Sequence, residues 1–382
     1  MTIIYLDYAA TTPVLPEVVD AMLPYFTGLY GNASSTHSAG REARAAIHQA
    51  RDNIASFVGC APSQLVFTSG GTESNNMALF GAAAAQAGKG KHIITTQTEH
   101  HAVLHTSEHL EKLGYEVTYL PVDTTGRIRL DDLQQALRPD TILISIMYVN
   151  NEVGTMQPLQ QIGELARSKG IIFHVDAVQA LGHIPIDLNR LPVDLMSFSA
   201  HKLHGPKGIG ALYIAKHAKL EPFMYGGNQE RKRRAGTENT AAIAGFSKAV
   251  KIIDSNMYEM QQKMEKLRLE MVTRLEQLLG IEQFVINGHP VERLPHILNI
   301  SFPGVSTESM LMNLDLEGIA AASGSACTSG SLEVSHVLKA MKLSEEVMKS
   351  AVRFSFGLGT TSKEIEITAH KIATIVNRIR NN

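Results

Sequence analysis

The sequence predicts an α/β protein, a mostly parallel sheet wrapped by helices, with a smaller α+β unit after it. Three observations carry that prediction. Between about residues 60 and 215, short β-branched runs alternate with helical stretches, as in successive βαβ units. Over residues 238–279 the pattern becomes one long amphipathic run, and beyond it strands and helices follow a different order. The 382 residues, 44% hydrophobic and 19% charged, suffice for a large core and more than one domain, and are unlike a disordered chain.

In chain order, the expected strands of the first unit are Leu65–Thr68, His92–Thr95, Glu116–Leu120, Thr141–Ile146, Ile171–Val175 and Asp194–Ser197. Helical periodicity fills the gaps at 72–87, 101–113, 131–138 and 159–168. The long run opens on Thr237-Glu238, which suits a cap, stops at Gly280, and turns its charges at 263–270 to water. Next come a strand at Ile297–Ser301, a helix at 307–314, a strand at Gly318–Ala321 and a loop of small residues. Further helices, a strand at Ala351–Phe356 and a terminal helix at 362–380 complete the chain. The expected division is a large domain over 16–255 and a small one built from 1–15 and 256–382, hinged through the long helix.

Composition excludes several classes of protein. Thirty-five basic against 37 acidic residues leave a net charge of −2, with no bulk field to attract nucleic acid or an anionic membrane. Two cysteines cannot build a disulfide framework or a paired-thiolate zinc site. Residues 1–15 carry Asp7 and lack a basic start followed by a long apolar run, so no secretory signal is expected and the cytoplasm is the default. No apolar run approaches the ~18 residues of a spanning helix.

Four segments carry candidate chemistry. In Phe67-Thr68-Ser69-Gly70-Gly71-Thr72-Glu73-Ser74-Asn75, a strand runs through Gly-Gly into a helix start. Free N–H groups there, with hydroxyls, suit a phosphate, although alone the segment reads equally as a capped helix. In Phe173-His174-Val175-Asp176-Ala177-Val178-Gln179, an acid closes an apolar strand, where open α/β sheets hold ligands. Such a carboxylate needs a cation, such as a protonated ring nitrogen, or else merely caps the next helix. In Ser197-Phe198-Ser199-Ala200-His201-Lys202, followed by Leu203-His204-Gly205-Pro206-Lys207-Gly208, Lys202 sits where burial would make it an amine nucleophile, whereas Lys207 reads as an ordinary loop lysine. Nine of the eleven residues of Ala321-Ala322-Ser323-Gly324-Ser325-Ala326-Cys327-Thr328-Ser329-Gly330-Ser331 are Ala, Ser or Gly, so Cys327 is the one reactive group on a loop able to bring a thiolate to a cleft. Cys60, in Phe57-Val58-Gly59-Cys60-Ala61-Pro62, reads instead as a small hydrophobe.

Two rival signals are weaker. His105-Thr106-Ser107-Glu108-His109 matches the H-x-x-E-H zinc-peptidase pattern, but sixteen histidines make chance matches easy and no third ligand stands out. Arg231-Lys232-Arg233-Arg234 is too short and isolated to mark a nucleic-acid site and reads as an anion-facing or solvated turn.

A phosphate cradle, a strand-end acid, a later lysine and a thiol on a small-residue loop together point to pyridoxal phosphate chemistry. The chain resembles the cysteine desulfurases of pyridoxal-phosphate fold type I, the class V aminotransferase-like family, in its long-loop branch. The segments that carry the resemblance are YLDYAATTP, YGNASSTH, FTSGGTESNN, TEHHAV, VNNEVGTMQP, HVDAVQ, SFSAHKLHGPKG, RAGTENT, SGSACTSGSLE and VRFSFG, in that order up to about residue 360. It implies a seven-stranded-type sheet in the large domain and a small domain carrying the cysteine loop.

By the same resemblance, Lys202 tethers pyridoxal 5'-phosphate, Asp176 pairs with the pyridine nitrogen, Gln179 with the phenolic oxygen, and His100 stacks on the ring and moves protons. Gly71, Thr72, Ser199 and His201 hold the phosphate, and Thr237 reaches the phosphate of a neighbouring subunit, making the active unit a homodimer. Asn151 and Arg353, assisted by Asn32, hold the carboxylate of L-cysteine. Cys327 takes the sulfur as a persulfide, L-alanine leaves, and the sulfur passes to an acceptor protein, an iron–sulfur scaffold or a tRNA-thiolating enzyme. No metal, direct nucleic-acid or membrane partner is implied. The chain departs from the pattern at His101, where many relatives have lysine, at Gly226-Gly227-Asn228 in place of a glycine triplet, and at Val334 in place of proline. Its last residues, Ile379-Arg380-Asn381-Asn382, show no extended tail of the kind some relatives use for scaffold docking.

Overall fold

Strands buried on both faces set the architecture. The computed structural model describes residues 3–324 and 334–381. In chain order its strands are β1 (Ile4–Tyr5), β2 (Leu65–Thr68), β3 (His92–Thr96), β4 (Glu116–Leu120), β5 (Thr141–Ser145) and β6 (Ile172–Asp176), then β7 (Leu195–Ser199), β8 (Gly210–Ile214), β9 (Val285–Asn287), β10 (Ile297–Ser301), β11 (Ile319–Ala320) and β12 (Ala351–Ser355). Strands β2 to β8 form a seven-stranded sheet in the order β2-β8-β7-β6-β5-β3-β4. From β7 to β4 all neighbours are parallel, while β8 runs antiparallel to both β7 and β2. Its central members read as unbroken apolar runs because helices cover both faces.

The pattern reading did not mark β8. Gly-Ala-Leu-Tyr-Ile is only five residues long and follows a Gly-Pro-Lys-Gly turn that masks its start. Its antiparallel return places Lys202 in a short 3-10 turn, Ala200–Lys202, between β7 and β8. The expected helices are present as Gly71–Gln86, His101–Lys112, Leu130–Ala136 and Leu159–Ser168. A further helix, Ser38–Val58, packs Ile47 and Ile54 in one core with Phe246 and Val250 of the long helix Thr240–Leu279.

That long helix serves two cores. Its first half, through Ile253 and Met260, joins the apolar cluster under the large sheet, and Met264, Leu267, Met271 and Leu275 join another with Phe302, Phe354 and Ile372. The second cluster lies against an antiparallel sheet, β12-β10-β9, and the helix Ser362–Arg380. Thr361 and Glu364 form a reciprocal capping box at the start of that helix, which fixes where it begins. The chain start is stitched to the small unit, with β1 pairing parallel to β11. No helix among the described residues is long and apolar enough to cross a membrane.

Candidate active site

Parallel strands end on one edge, and side chains at their C-terminal ends converge there. A cleft of about 450 Å³ opens at that edge, bounded opposite by Arg353 of β12. Asp176, the last residue of β6, is buried on its floor. One carboxylate oxygen accepts from Asn75 Nδ2 at 2.6 Å and the other from the Val178 backbone N–H at 3.0 Å. Both bonds fix the acid's orientation and compensate its burial.

Lys202 lies within reach of the same floor. Its ammonium donates to the backbone carbonyls of Ala9, at 2.5 Å, and Ala10, at 2.8 Å. Burial, reinforced by the Arg353 guanidinium, pulls its pKa down from 10.5 to about 8, against the opposing pull of Asp7 and Asp176. Far more of this amine is therefore uncharged near neutrality than in an ordinary lysine.

Another side of the cleft is built from Gly71 and Thr72 at the start of the helix Gly71–Gln86, Ser199 at the end of β7, and His201. Gly71 is required by close approach, because a Cβ there would fall 2.5 Å from Val178 Cγ2. His201, whose Nδ1 lies 3.2 Å from Thr11 Oγ1, is pushed down to about 4 by burial and by Lys202 and Lys207, so it acts as a neutral imidazole. The nearby acid, Glu73, is occupied by the Arg234 guanidinium, at 2.7 Å, and by the Ser69 N–H, at 2.7 Å. These bonds outweigh burial and lower its pKa.

His100 caps the helix His101–Lys112, its Nδ1 accepting from Ala102 N–H at 3.0 Å. The proton of its neutral ring is therefore on Nε2. Its pKa is lowered, chiefly because protein surrounds the ring on the sides that do not face the cleft. Gln179 donates from Nε2 to the Ala9 carbonyl at 2.9 Å, while its buried Oε1 has no partner among the described residues. Arg353, itself buried, donates to the Asn151 carbonyl at 2.9 Å and to Asp7 at 2.8 Å, and its Nε also has no described partner.

Ten of the residues singled out from sequence thus line one cleft: Gly71, Thr72, His100, Asn151, Asp176, Gln179, Ser199, His201, Lys202 and Arg353. Asn32 and Thr237 do not line it. Both are exposed, and Asn32 closes a local turn by accepting from Ser34 N–H. Cys327 lies outside the described residues. His105 stacks on His101 with ring centres 5.0 Å apart, and His109 meets the edge of Phe80. Among the described residues no group of three potential ligands could hold a metal. Cys60 is half-buried, and desolvation pushes its thiol up to about 12, which makes it inert.

Sequence reasoning gave no role to Asn75, Asp7, the Ala9 and Ala10 carbonyls, or Glu152, although all lie in the segments FTSGGTESNN, YLDYAATTP and VNNEVGTMQP that carry the resemblance. Of these, Asn75 also had a periodic signal, because it stands three residues after Thr72 and so shares its helix face.

The donor set fits pyridoxal phosphate. It offers an acid at depth, an amine of lowered pKa, and a helix start with hydroxyls around one cleft. Fold and cleft together define a pyridoxal-phosphate enzyme of the α/β class, and comparison with known proteins agrees. The family description Aminotransferase class-V matches residues 4–367. The cysteine desulfurase IscS of Dictyoglomus turgidum is 49% identical over 377 residues, covering 99% of this chain and 95% of that relative. A NifS-like protein of known structure superposes with a TM-score of 0.92 at 37% identity, covering 99% of this chain and all of that one. The structure titled SspA in complex with cysteine gives a TM-score of 0.81 at 36% identity, covering 92% of this chain and 98% of that one. The chain belongs to the class-V aminotransferase family, and within it to the pyridoxal-phosphate-dependent cysteine desulfurases.

Proposed function

We propose that the cleft converts L-cysteine to L-alanine with Cys327 as the sulfur acceptor, and that the residues lining it divide the work as follows. Asp176, Lys202, Gly71, Thr72, Ser199, His201 and Gln179 hold pyridoxal phosphate. When bound, that cofactor supplies an aldehyde for the substrate amine and a cationic ring that withdraws electrons from the substrate α-carbon. Arg353 and Asn151, both lining the cleft, bind the substrate carboxylate. Lys202, at about 8, is suited to take and return the α-proton near neutral pH. His100 offers an Nε2 proton site close by.

The transfer balances without an added oxidant. The Cys327 thiolate attacks the substrate sulfur, the Cβ–S bond breaks, the electron pair passes to carbon, and protonation there gives alanine while the sulfur remains as a persulfide. The observation that carries this reading is the Lys202 amine, with its lowered pKa, on the same floor as Asp176 and opposite the Arg353 guanidinium.

Thr237 is exposed outside its own chain's cleft, which supports its reaching the phosphate of a second copy in a homodimer. Exposed Leu23, Phe26, Tyr30, Phe223 and Tyr225 supply apolar surface for that contact. The acceptor of the persulfide is an iron–sulfur scaffold, with a tRNA-thiolating enzyme as the other candidate, and the compartment is the cytoplasm.

Mass spectrometry of the cofactor-loaded protein incubated with L-cysteine tests the central point. The peptide containing Cys327 gains about 32 Da, and Cys327→Ala stops alanine release without abolishing the absorbance change on adding L-cysteine. Undiminished alanine release by that variant would refute the role of Cys327.

A further inference from the structure

Glu152 is delivered to the cleft wall by a rigid turn. Asn150 Oδ1 accepts from the backbone N–H groups of Glu152, at 2.9 Å, and Val153, at 3.0 Å, and Asn150 Nδ2 donates to the Thr98 carbonyl. The Glu152 side chain is buried. Its Oε2 accepts from Ser335 Oγ at 2.5 Å, and a Cβ placed on Gly324 would come within 2.6 Å of that same oxygen. The carboxylate therefore holds the chain after residues 325–333 by a hydrogen bond and packs so closely against Gly324 before them that no side chain fits there.

Each side is secured again close by. Before the segment, Ala322 exchanges two backbone hydrogen bonds with Arg353, at 2.7 and 3.2 Å. After it, Ser335 accepts from Val337 and Leu338 N–H, so its one hydroxyl proton goes to Glu152. His336 donates from Nε2 to the Glu99 carbonyl at 2.9 Å. Burial works against a charged carboxyl here and raises its pKa, with Ser335, His336 and Arg353 pulling the other way. Packing alone would be better served by an apolar side chain.

We propose that Glu152 is a positioning residue for sulfur transfer, bonding Ser335 on one side of the Cys327 segment and packing against Gly324 on the other, and so helping to set where that thiol meets the substrate. The proposal rests on Cys327 being the sulfur acceptor. Since a displacement of about 1 Å can cost a reaction about a hundredfold, the placement of the anchor matters to the rate.

The test uses the cofactor-loaded protein and three variants, Glu152→Ala, Glu152→Gln and Ser335→Ala. In Glu152→Ala, kcat for alanine release falls at least about tenfold while KM for L-cysteine stays within about twofold. Ser335→Ala falls in the same direction, and Glu152→Gln, which keeps an acceptor oxygen, recovers most of the rate. Independently of activity, amide hydrogen exchange at residues 322–324 and 334–338 speeds up in Glu152→Ala while the large sheet is unchanged. A defect confined to KM, a glutamine variant as impaired as the alanine one, or unchanged exchange at both flanks would overturn the proposal. Absence of sulfur on Cys327 in the unaltered protein would instead defeat the reading on which it rests.

Discussion

The amine of Lys202 shows how little chemistry is intrinsic to a residue type. Its place after an apolar strand was legible in the sequence, but the groups that tune it were not. Two backbone carbonyls, from Ala9 and Ala10, arrive from nearly 200 residues away, and the Arg353 charge arrives from β12. No periodicity encodes such approaches. Lys202 is neutral in the folded protein and protonated in the unfolded chain between about pH 8 and its ordinary 10.5. The unfolded state therefore binds more protons in that window, and this group's contribution to stability rises with pH across it. Below about 8 both states are charged and the cost of burial is fully present. Competitive acetylation of the cofactor-free protein, read by mass spectrometry at Lys202, is expected to show a midpoint near 8. A midpoint near that of surface lysines would mean that the cleft does not tune the amine.

At the scale of elements, the sequence announced most strands and helices from residue 60 onward, but it passed over the helix Ser38–Val58 and the strand β8, and it failed where a turn carried the information. The basic cluster is the clearest case. In the short turn Gln229–Lys232, Glu230, Arg231 and Lys232 have positive φ of 46°, 57° and 65°, a left-handed conformation costly for such residues. Glu230 is buried there and meets Arg51 in a two-pronged ion pair, at 2.6 and 2.8 Å, while also accepting from Phe67 N–H. Arg234, a few residues on, pairs with Glu73 in the first turn of the helix after β2. Glu230 and Arg234 thus fasten this loop to β2 and that helix, while Arg231 and Lys232 stay exposed, which no charge count could reveal. Glu230→Ala leaves Arg51 buried and unpaired, and urea unfolding is expected to show a loss of about 3–5 kcal/mol. A loss below about 1 kcal/mol would mean that the Leu65 carbonyl, already bonded to Arg51 at 2.8 Å, satisfies the guanidinium unaided.

Across the whole molecule, the segment from Leu6 to Thr12 joins the two cores and the cleft in one stretch. Leu6 is buried in the small core, Asp7 pairs with Arg353, Ala9 and Ala10 hold Lys202, and Thr12 bonds the backbone of His201 and His204. It follows β1, which ends at Tyr5, and has no regular period, so the strand and helix pattern marked the sheet but not this strap, which the sequence showed only as the YLDYAATTP segment of the resemblance. If this strap, rather than the cleft walls alone, desolvates the amine, removing residues 1–12 should act on both stability and chemistry. The truncated protein is expected to melt earlier, having lost Leu6 and Tyr8 from the interior. Its Lys202 acetylation midpoint is expected to move up from about 8 toward 10.5, because burial is the largest cause of the depression and its relief outweighs the loss of Asp7 and of the two carbonyl acceptors, which act the other way. The two effects separate the causes. A lower melting temperature with an unmoved midpoint would assign the strap to packing alone, whereas a moved midpoint makes it part of the machinery that keeps Lys202 reactive.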